Sequence, residues 1–309
     1  MPAARRRSAP KVKGKATGNA KAPRVRAPRA TPRLEGFALP EDLARWETTI
    51  VAFIRRHVEA AGAKGVVVGA SGGLDSAVVA ALAVRALGKR RVLCVLMPMP
   101  DSNPADERHA RLSCRSLGIT PVLRPVGPLV EGFEKSLAGK PDARTRGNAK
   151  ARARMMVLYA EAQARGYLVC GTGNKSELLT GYFTKHGDGG VDLQPIGDLY
   201  KTQVRQLAAY LKVPKPIRDK PPSAGLHPGQ TDEKDMGLTY RQLDAVLRQM
   251  ELNHDLPTVA RKTGLPADLV GKVERMVRTT EHKRRLALVP KIGARTVGID
   301  WRRSVHWDA

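Results

Sequence analysis

The sequence predicts an α/β fold, a doubly wound parallel sheet with a helical C-terminal part and a disordered N-terminal arm. Two observations carry this expectation. Short valine- and leucine-rich runs alternate with stretches of helical spacing between Val66 and Tyr182, the pattern of strands joined by crossover helices. The glycine-bearing polar segments also fall just after the apolar runs, where ligands of such sheets bind.

Taken in order, residues 40–61 place Leu43, Trp46, Ile50, Phe53 and Ile54 at helical spacing, with acids early. Residues 66–68 read as a strand, and a helix follows from about 75 to 87. Residues 92–97 form the next strand, then a helix over 104–117 and a third strand over 122–126. A long helix spans 145–164, a fourth strand 167–171, and a helix 175–182. Beyond Asp198 the pattern turns helical, at 201–211, 240–250, 256–262 and 269–278. Residues 220–235 (KPPSAGLHPGQTDEKD) are rich in Pro, Gly and charge. A loop of that length in a compact domain is commonly a lid or binding loop, here expected over about 219–236. No internal repeat is present.

The chain has 309 residues and a net charge of +25. Eleven Lys/Arg and no Asp or Glu lie in residues 1–33, so the remainder carries +14. That arm lacks the apolar residues to order itself. Disorder is expected over 1–35, with one domain from 36 to 309. The arm reads either as a solvated extension or as a non-specific tether to nucleic acid or membrane. No apolar run approaches eighteen residues, and no signal peptide is recognisable. Cys94, Cys114 and Cys170 are far apart and odd in number, as expected of buried free thiols in a reducing cytoplasm. With no Cys-x-x-Cys pair and scattered histidines, a zinc or iron–sulfur centre is not expected.

The chemistry-bearing stretch is Gly69-Ala70-Ser71-Gly72-Gly73-Leu74-Asp75-Ser76. Its glycines permit the close backbone approach that a phosphate nest needs, its serines offer donors, and a helix N-terminus follows. The G-x-x-x-x-G-K-[ST] and G-x-G-x-x-G patterns are both absent. Asp75 beside an anion nest makes chemical sense with a cation between carboxylate and phosphate, the way Mg2+ is held. The plainer role for such an aspartate is to cap the helix.

Residues 71–76 match the S-G-G-x-D-S signature of the N-type ATP pyrophosphatases, whose fold is the adenine nucleotide alpha hydrolase type with a five-stranded sheet. Residues 171–208 (GTGNKSELLTGYFTKHGDGGVDLQPIGDLYKTQVRQLA) closely resemble the central block of the ammonia-dependent NAD synthetases. Residues 147–159, 220–233 and 279–285 resemble three further blocks of that family. The resemblance implies ATP-dependent amidation of deamido-NAD by ammonia through an acyl-adenylate, releasing AMP and pyrophosphate. It implies that residues 69–76, Thr172, Lys201 and Ser223 contact ATP, and that Asp75 and Glu177 hold Mg2+. Arg152, Lys185, Asp192, His282 and Lys283 match positions that hold deamido-NAD, and Asp188 matches an acid near the incoming ammonia. Asp75, Asp188 and Lys201 would be the catalytic group. A cytoplasmic homodimer is implied as well.

Singly, Lys185 and Lys201 read as solvated lysines, Arg152 as part of a solvated helix face, and Asp188 and Asp192 as turn residues. Their joint order and spacing favour the family roles. No glutaminase domain is expected ahead of residue 40, so the nitrogen source is free ammonia or a separate partner. Two rivals remain on sequence grounds. One is a tRNA-modifying adenylating enzyme. The other is a nucleic-acid-binding protein using residues 256–277, which have a helix–turn–helix look around Gly264.

Overall fold

The computed structural model describes residues 40–223, 225 and 231–301. The expected disorder of residues 1–35 therefore lies outside the described residues, as do six positions of the expected lid, 224 and 226–230. The sheet part runs α1 (Pro40–Ala60), β1 (Gly65–Gly69), α2 (Leu74–Leu87), β2 (Val92–Leu96), α3 (Pro104–Ser116), β3 (Val122–Leu123), α4 (Gly127–Lys135), α5 (Ala143–Arg165), β4 (Tyr167–Cys170) and α6 (Lys175–Thr180). It continues as α7 (Lys201–Tyr210), α8 (Lys215–Arg218), α9 (Asp232–Met236), α10 (Tyr240–Glu251), α11 (Leu256–Thr263), α12 (Ala267–Thr279) and α13 (Glu281–Arg284).

The strands pair in parallel in the order β3-β2-β1-β4. Because successive side chains of a strand face opposite ways, the three valines of β1 divide between two cores. Val66 and Val68 pack with Ile54, Leu82 and Leu207, the layer of α1, α2 and α7. Val67 packs with Val95, Ala162 and Val169 under α5. All three are fully buried, and each contributes about 1.5–3 kcal/mol through removal from water. Helix α2, apolar on nearly every face, is central: Leu74, Ala77, Val78 and Leu82 are all buried. A separate core joins α10, α11 and α12 through Leu243, Val246, Val259, Val270 and Val273. The two helices with the helix–turn–helix look thus bury their apolar faces against α10. No described helix is long and apolar enough to cross a membrane.

The sheet has four strands among the described residues, not the expected five. A single parallel bridge, Cys170 to Leu193, stands where a fifth would run. Gly171 N donates to Leu193 O at 2.7 Å, and Leu193 N donates to Val169 O at 3.2 Å. Pro195 then follows, and with no N–H it cannot extend the ladder. Proline also explains why β3 holds two residues rather than five. It lies between Pro121 and Pro125, after which only scattered bonds continue, such as Val126 N to Pro98 O at 3.1 Å.

Candidate active site

The chain runs from β1 outward to β2 and β3, then returns to place β4 on the other side of β1. The order reverses between β1 and β4, and the crevice of a doubly wound sheet opens at such a point, beyond the carboxyl ends. The loops leaving β1 and β4, residues 70–73 and 171–174, both face it.

The first loop holds itself open. Gly72 sits at φ +75°, and a Cβ there would lie 2.1 Å from the carbonyl oxygen of Asp106. Ser76 Oγ donates to Gly73 O at 3.0 Å and lies 3.0 Å from Ser71 Oγ; Gly73 N donates to Ser71 Oγ at 3.3 Å. The first turn of α2 follows at once, so its backbone donors face the crevice together with the loop. No side chain caps that helix, and Asp75 is therefore not acting as its N-cap.

The second loop ends in a capping box. Asn174, fully buried, accepts from Glu177 N at 3.1 Å, while Glu177 Oε2 accepts from Asn174 N at 3.1 Å. The same asparagine donates from Nδ2 to Asp75 Oδ1 at 3.3 Å. One buried side chain thus touches both loops and orients both carboxyls.

Lys201, at the start of α7, is 3% exposed. Its ammonium contacts Asp75 Oδ2 directly and lies 3.6 Å from Glu177 Oε1. Tyr240 stands 5.2 Å from it by ring centroid, and the Tyr240 hydroxyl lies 3.0 Å from Asp232 Oδ2 and 3.5 Å from Glu177 Oε1. Burial pushes the Glu177 carboxyl up to about 8; Lys201 opposes that rise and Asp75 reinforces it. Burial also disfavours the Lys201 ammonium, but Asp75 and Glu177 outweigh it and hold its pKa above the ordinary lysine value. Two carboxyl groups from separate βα loops therefore converge on the Lys201 ammonium, beside the glycine-bearing loop that leaves β1. Among the described residues no group of three or more His, Cys, Asp or Glu forms a metal cage. Two hard oxygen donors completed by phosphate and water are what Mg2+ takes, so the donor set fits that ion.

The start of α7 is fixed from behind. Ser176 Oγ accepts from Lys201 N at 3.0 Å and donates to Asp244 Oδ1 at 2.5 Å, while Asp244 Oδ2 accepts from Thr202 N at 2.8 Å. Ser176→Ala leaves a buried carboxylate oxygen and a buried N–H without this partner, a loss of about 1–3 kcal/mol. Its melting temperature should fall by several degrees, measurable by calorimetry; an unchanged melting point would show that the Ser176 hydroxyl does not support α7.

Lys185 Nζ donates to His282 O at 2.7 Å, and Arg152 Nη2 donates to Lys185 O at 3.4 Å. Lys283 Nζ donates to Gly181 O and Phe183 O at 2.7 and 2.8 Å. Burial and Arg144 pull its ammonium below the usual lysine range. Four of the five positions expected to hold the dinucleotide thus lie in one linked group. The fifth, Asp192, is directed to β4: its carboxylate accepts from Val169 N at 2.8 Å and Tyr159 Oη at 3.0 Å. Asp188 Oδ1 accepts from Thr184 N at 2.8 Å in the same turn region. Thr172 is half-buried between Gly171 and Gly173, and the exposed Ser223 accepts from Gly225 N at 3.1 Å.

Helix α6 joins the two groups, with Glu177 in its first turn and Gly181 O, held by Lys283, at its end. Six residues span about 9 Å. Arg284 binds the same end, donating to Leu178 O at 2.9 Å and Leu179 O at 2.6 Å. Asn174, Asp232, Tyr240 and Arg284 carry none of the roles expected from sequence. Asn174 alone has a local signal, the N-x-x-E capping pattern with Glu177.

The sequence pattern of the NAD synthase family matches residues 47–287. An NH3-dependent NAD+ synthetase of Thermococcus sibiricus is 46% identical over 252 residues, covering 81% of this chain and 98% of that protein. One from Methanosarcina mazei is 45% identical over 254 residues, covering 81% and 99%. Among solved structures, an NMN synthetase from Francisella tularensis superposes with a TM-score of 0.73 at 35% identity, covering 83% of this chain and all of that one. An NH3-dependent NAD synthetase from Campylobacter jejuni gives 0.70 at 30% identity, covering 82% and 100%. With its glycine-bearing loop after β1, its paired carboxyl groups and these relatives along most of its length, the chain belongs to the NAD synthase family of ATP-using carbon–nitrogen ligases.

Proposed function

We propose that this ligase amidates deamido-NAD with ammonia, using ATP, in two steps. The convergence of Asp75 and Glu177 on one cationic position beside the phosphate loop is the observation that carries this reading. Asp75 and Glu177 are the residues that would hold Mg2+, which would neutralise the phosphates of ATP. The nicotinate carboxylate attacks the α-phosphorus and pyrophosphate leaves, giving an acyl-adenylate. The backbone N–H groups of residues 71–74, with Ser71 and Ser76, bind the departing charge, and Lys201 adds a point cation. Thr172 and Ser223 complete the ATP contacts. Ammonia then attacks the acyl carbon and AMP leaves. Asp188 binds the incoming ammonium and takes a proton from it. Residues 220–235, closing over the site, keep water from the adenylate.

Arg152, Lys185, Asp192, His282 and Lys283 hold the dinucleotide, the four basic side chains answering its pyrophosphate and carboxylate charge. The family resemblance adds a cytoplasmic homodimer to this reading, and the basic arm a non-specific affinity for nucleic acid.

The relative named as an NMN synthetase motivates a second reading, in which the acceptor is a mononucleotide. The linked group of Arg152, Lys185, His282 and Lys283 favours the dinucleotide, which carries one more phosphate to bind.

The deciding assay follows ATP products with each acceptor present or withheld. AMP and pyrophosphate should form together, and only when both deamido-NAD and ammonium are supplied. Release of ADP, or AMP formation indifferent to the acceptor, sinks the proposal. Preference for nicotinate mononucleotide selects the second reading.

A further inference from the structure

We propose that Asp106 and Lys220 are positioning residues for ATP, their ion pair setting the spacing between the phosphate loop and Ser223. The proposal rests on the reading of those two segments as ATP contacts. Asp106 lies in the first turn of α3 and meets both. Its backbone carbonyl is the atom that a Cβ on Gly72 would approach to 2.1 Å, so the phosphate loop packs directly on it. Its carboxylate Oδ1 accepts from Lys220 Nζ at 2.6 Å, three residues ahead of Ser223. Its Oδ2 would lie 4.0 Å from a Cβ on Gly225, two residues past Ser223.

The mount is rigid on the α3 side. Asn103 caps that helix, accepting from Ala105 N at 2.9 Å, Pro104 fixes its first turn, and Asp106 N donates to Asn103 O at 2.9 Å. On the other side Asp232 N donates to Pro222 O at 3.1 Å, tying the segment that carries Ser223 to the start of α9. The side chains of Lys220 and Asp106 are 21% and 27% exposed. A pair that open to water adds little to folding stability. Its consequence is geometric: one aspartate spaces two segments that must close on the same nucleotide.

Asp106→Asn, Lys220→Met, the double variant and Lys220→Arg would be compared by calorimetric ATP titration and by steady-state kinetics. Each of the first two should raise the dissociation constant and KM for ATP about tenfold, well short of the hundredfold that a full ångström of misplacement costs. KM for deamido-NAD and the melting temperature should stay close to wild type. The double variant should be no worse than the weaker single, because both remove one contact, and Lys220→Arg should restore most of the loss. Unchanged ATP affinity in both singles would overturn the proposal, as would a double variant whose losses multiply, or a rise in KM for both substrates together. The titration needs no acceptor, so a wrong assignment of deamido-NAD would leave this result intact.

Discussion

Gly72→Ala should lower ATP-dependent turnover about a hundredfold or more, the cost of displacing a reacting group by an ångström. Two features of this position add. Its φ of +75° disfavours any side chain. The added Cβ would also stand 2.1 Å from the Asp106 carbonyl oxygen, a backbone atom on a capped helix that cannot swing aside. Relief has to come from the loop, which moves away from α3 and takes Gly73 N and the Ser71–Ser76 pair with it. Gly88→Ala provides the control: its φ is +77°, but nothing lies within 4 Å of the added atom. That variant, holding an alanine at φ 77°, ψ 152°, should lose about 1–3 kcal/mol of stability from backbone strain and keep its activity. Measured side by side, kcat/KM for ATP and melting temperature separate strain from displacement. Equal activity losses in the two variants would remove the Asp106 contact from the explanation.

Asp75→Asn should reduce adenylation about a thousandfold, the upper range for losing one electrostatic stabiliser at a reacting charge. The substitution keeps shape and removes the carboxylate that contacts Lys201. That lysine is then left with Glu177 at 3.6 Å, whose own carboxyl is pushed up to about 8 by burial. Breaking a buried pair from one side costs about 3–5 kcal/mol, so stability should fall along with activity. Asp75→Asn combined with Lys201→Met removes both charges and should recover most of the melting temperature, because an apolar replacement of a buried pair is commonly neutral. Turnover should not return. If activity recovers with stability in the double variant, Asp75 supports the fold rather than the chemistry.

What could be read from the sequence followed how local each determinant is. The valines of β1 are bracketed by Gly65 and Gly69, and a run of that kind announces a buried strand. β3 is cut short by Pro121 and Pro125, and α4 went unforeseen because Gly127, Pro128 and Gly132 hide a helix behind residues that usually interrupt one. The expectation of a fifth strand came from resemblance, and Pro195 prevents the ladder from extending past its single bridge.

At the site, Asp75 and Glu177 stood out because each begins a helix directly after a strand. Their shared contact with Lys201 could not be anticipated, since Lys201 is 126 residues from Asp75. Tyr240 is further still from legibility: it reaches Glu177 across 63 positions and carries no motif. Asp192 stands out beside two glycines, while the bond from Val169 N that fixes its carboxylate spans 23 positions.

The pairing of β1 with β4 sets Gly65 opposite Tyr167 and Val68 opposite Cys170. Each strand runs a few residues further and delivers one carboxylate, so this alignment acts as a ruler for the distance between Asp75 and Glu177. A shift of one residue would slide one acid past the other by about 3.3 Å, and it would also turn Val66, Val67 and Val68 onto the wrong faces. A variant that keeps this register keeps Asp75 and Glu177 in step with one another.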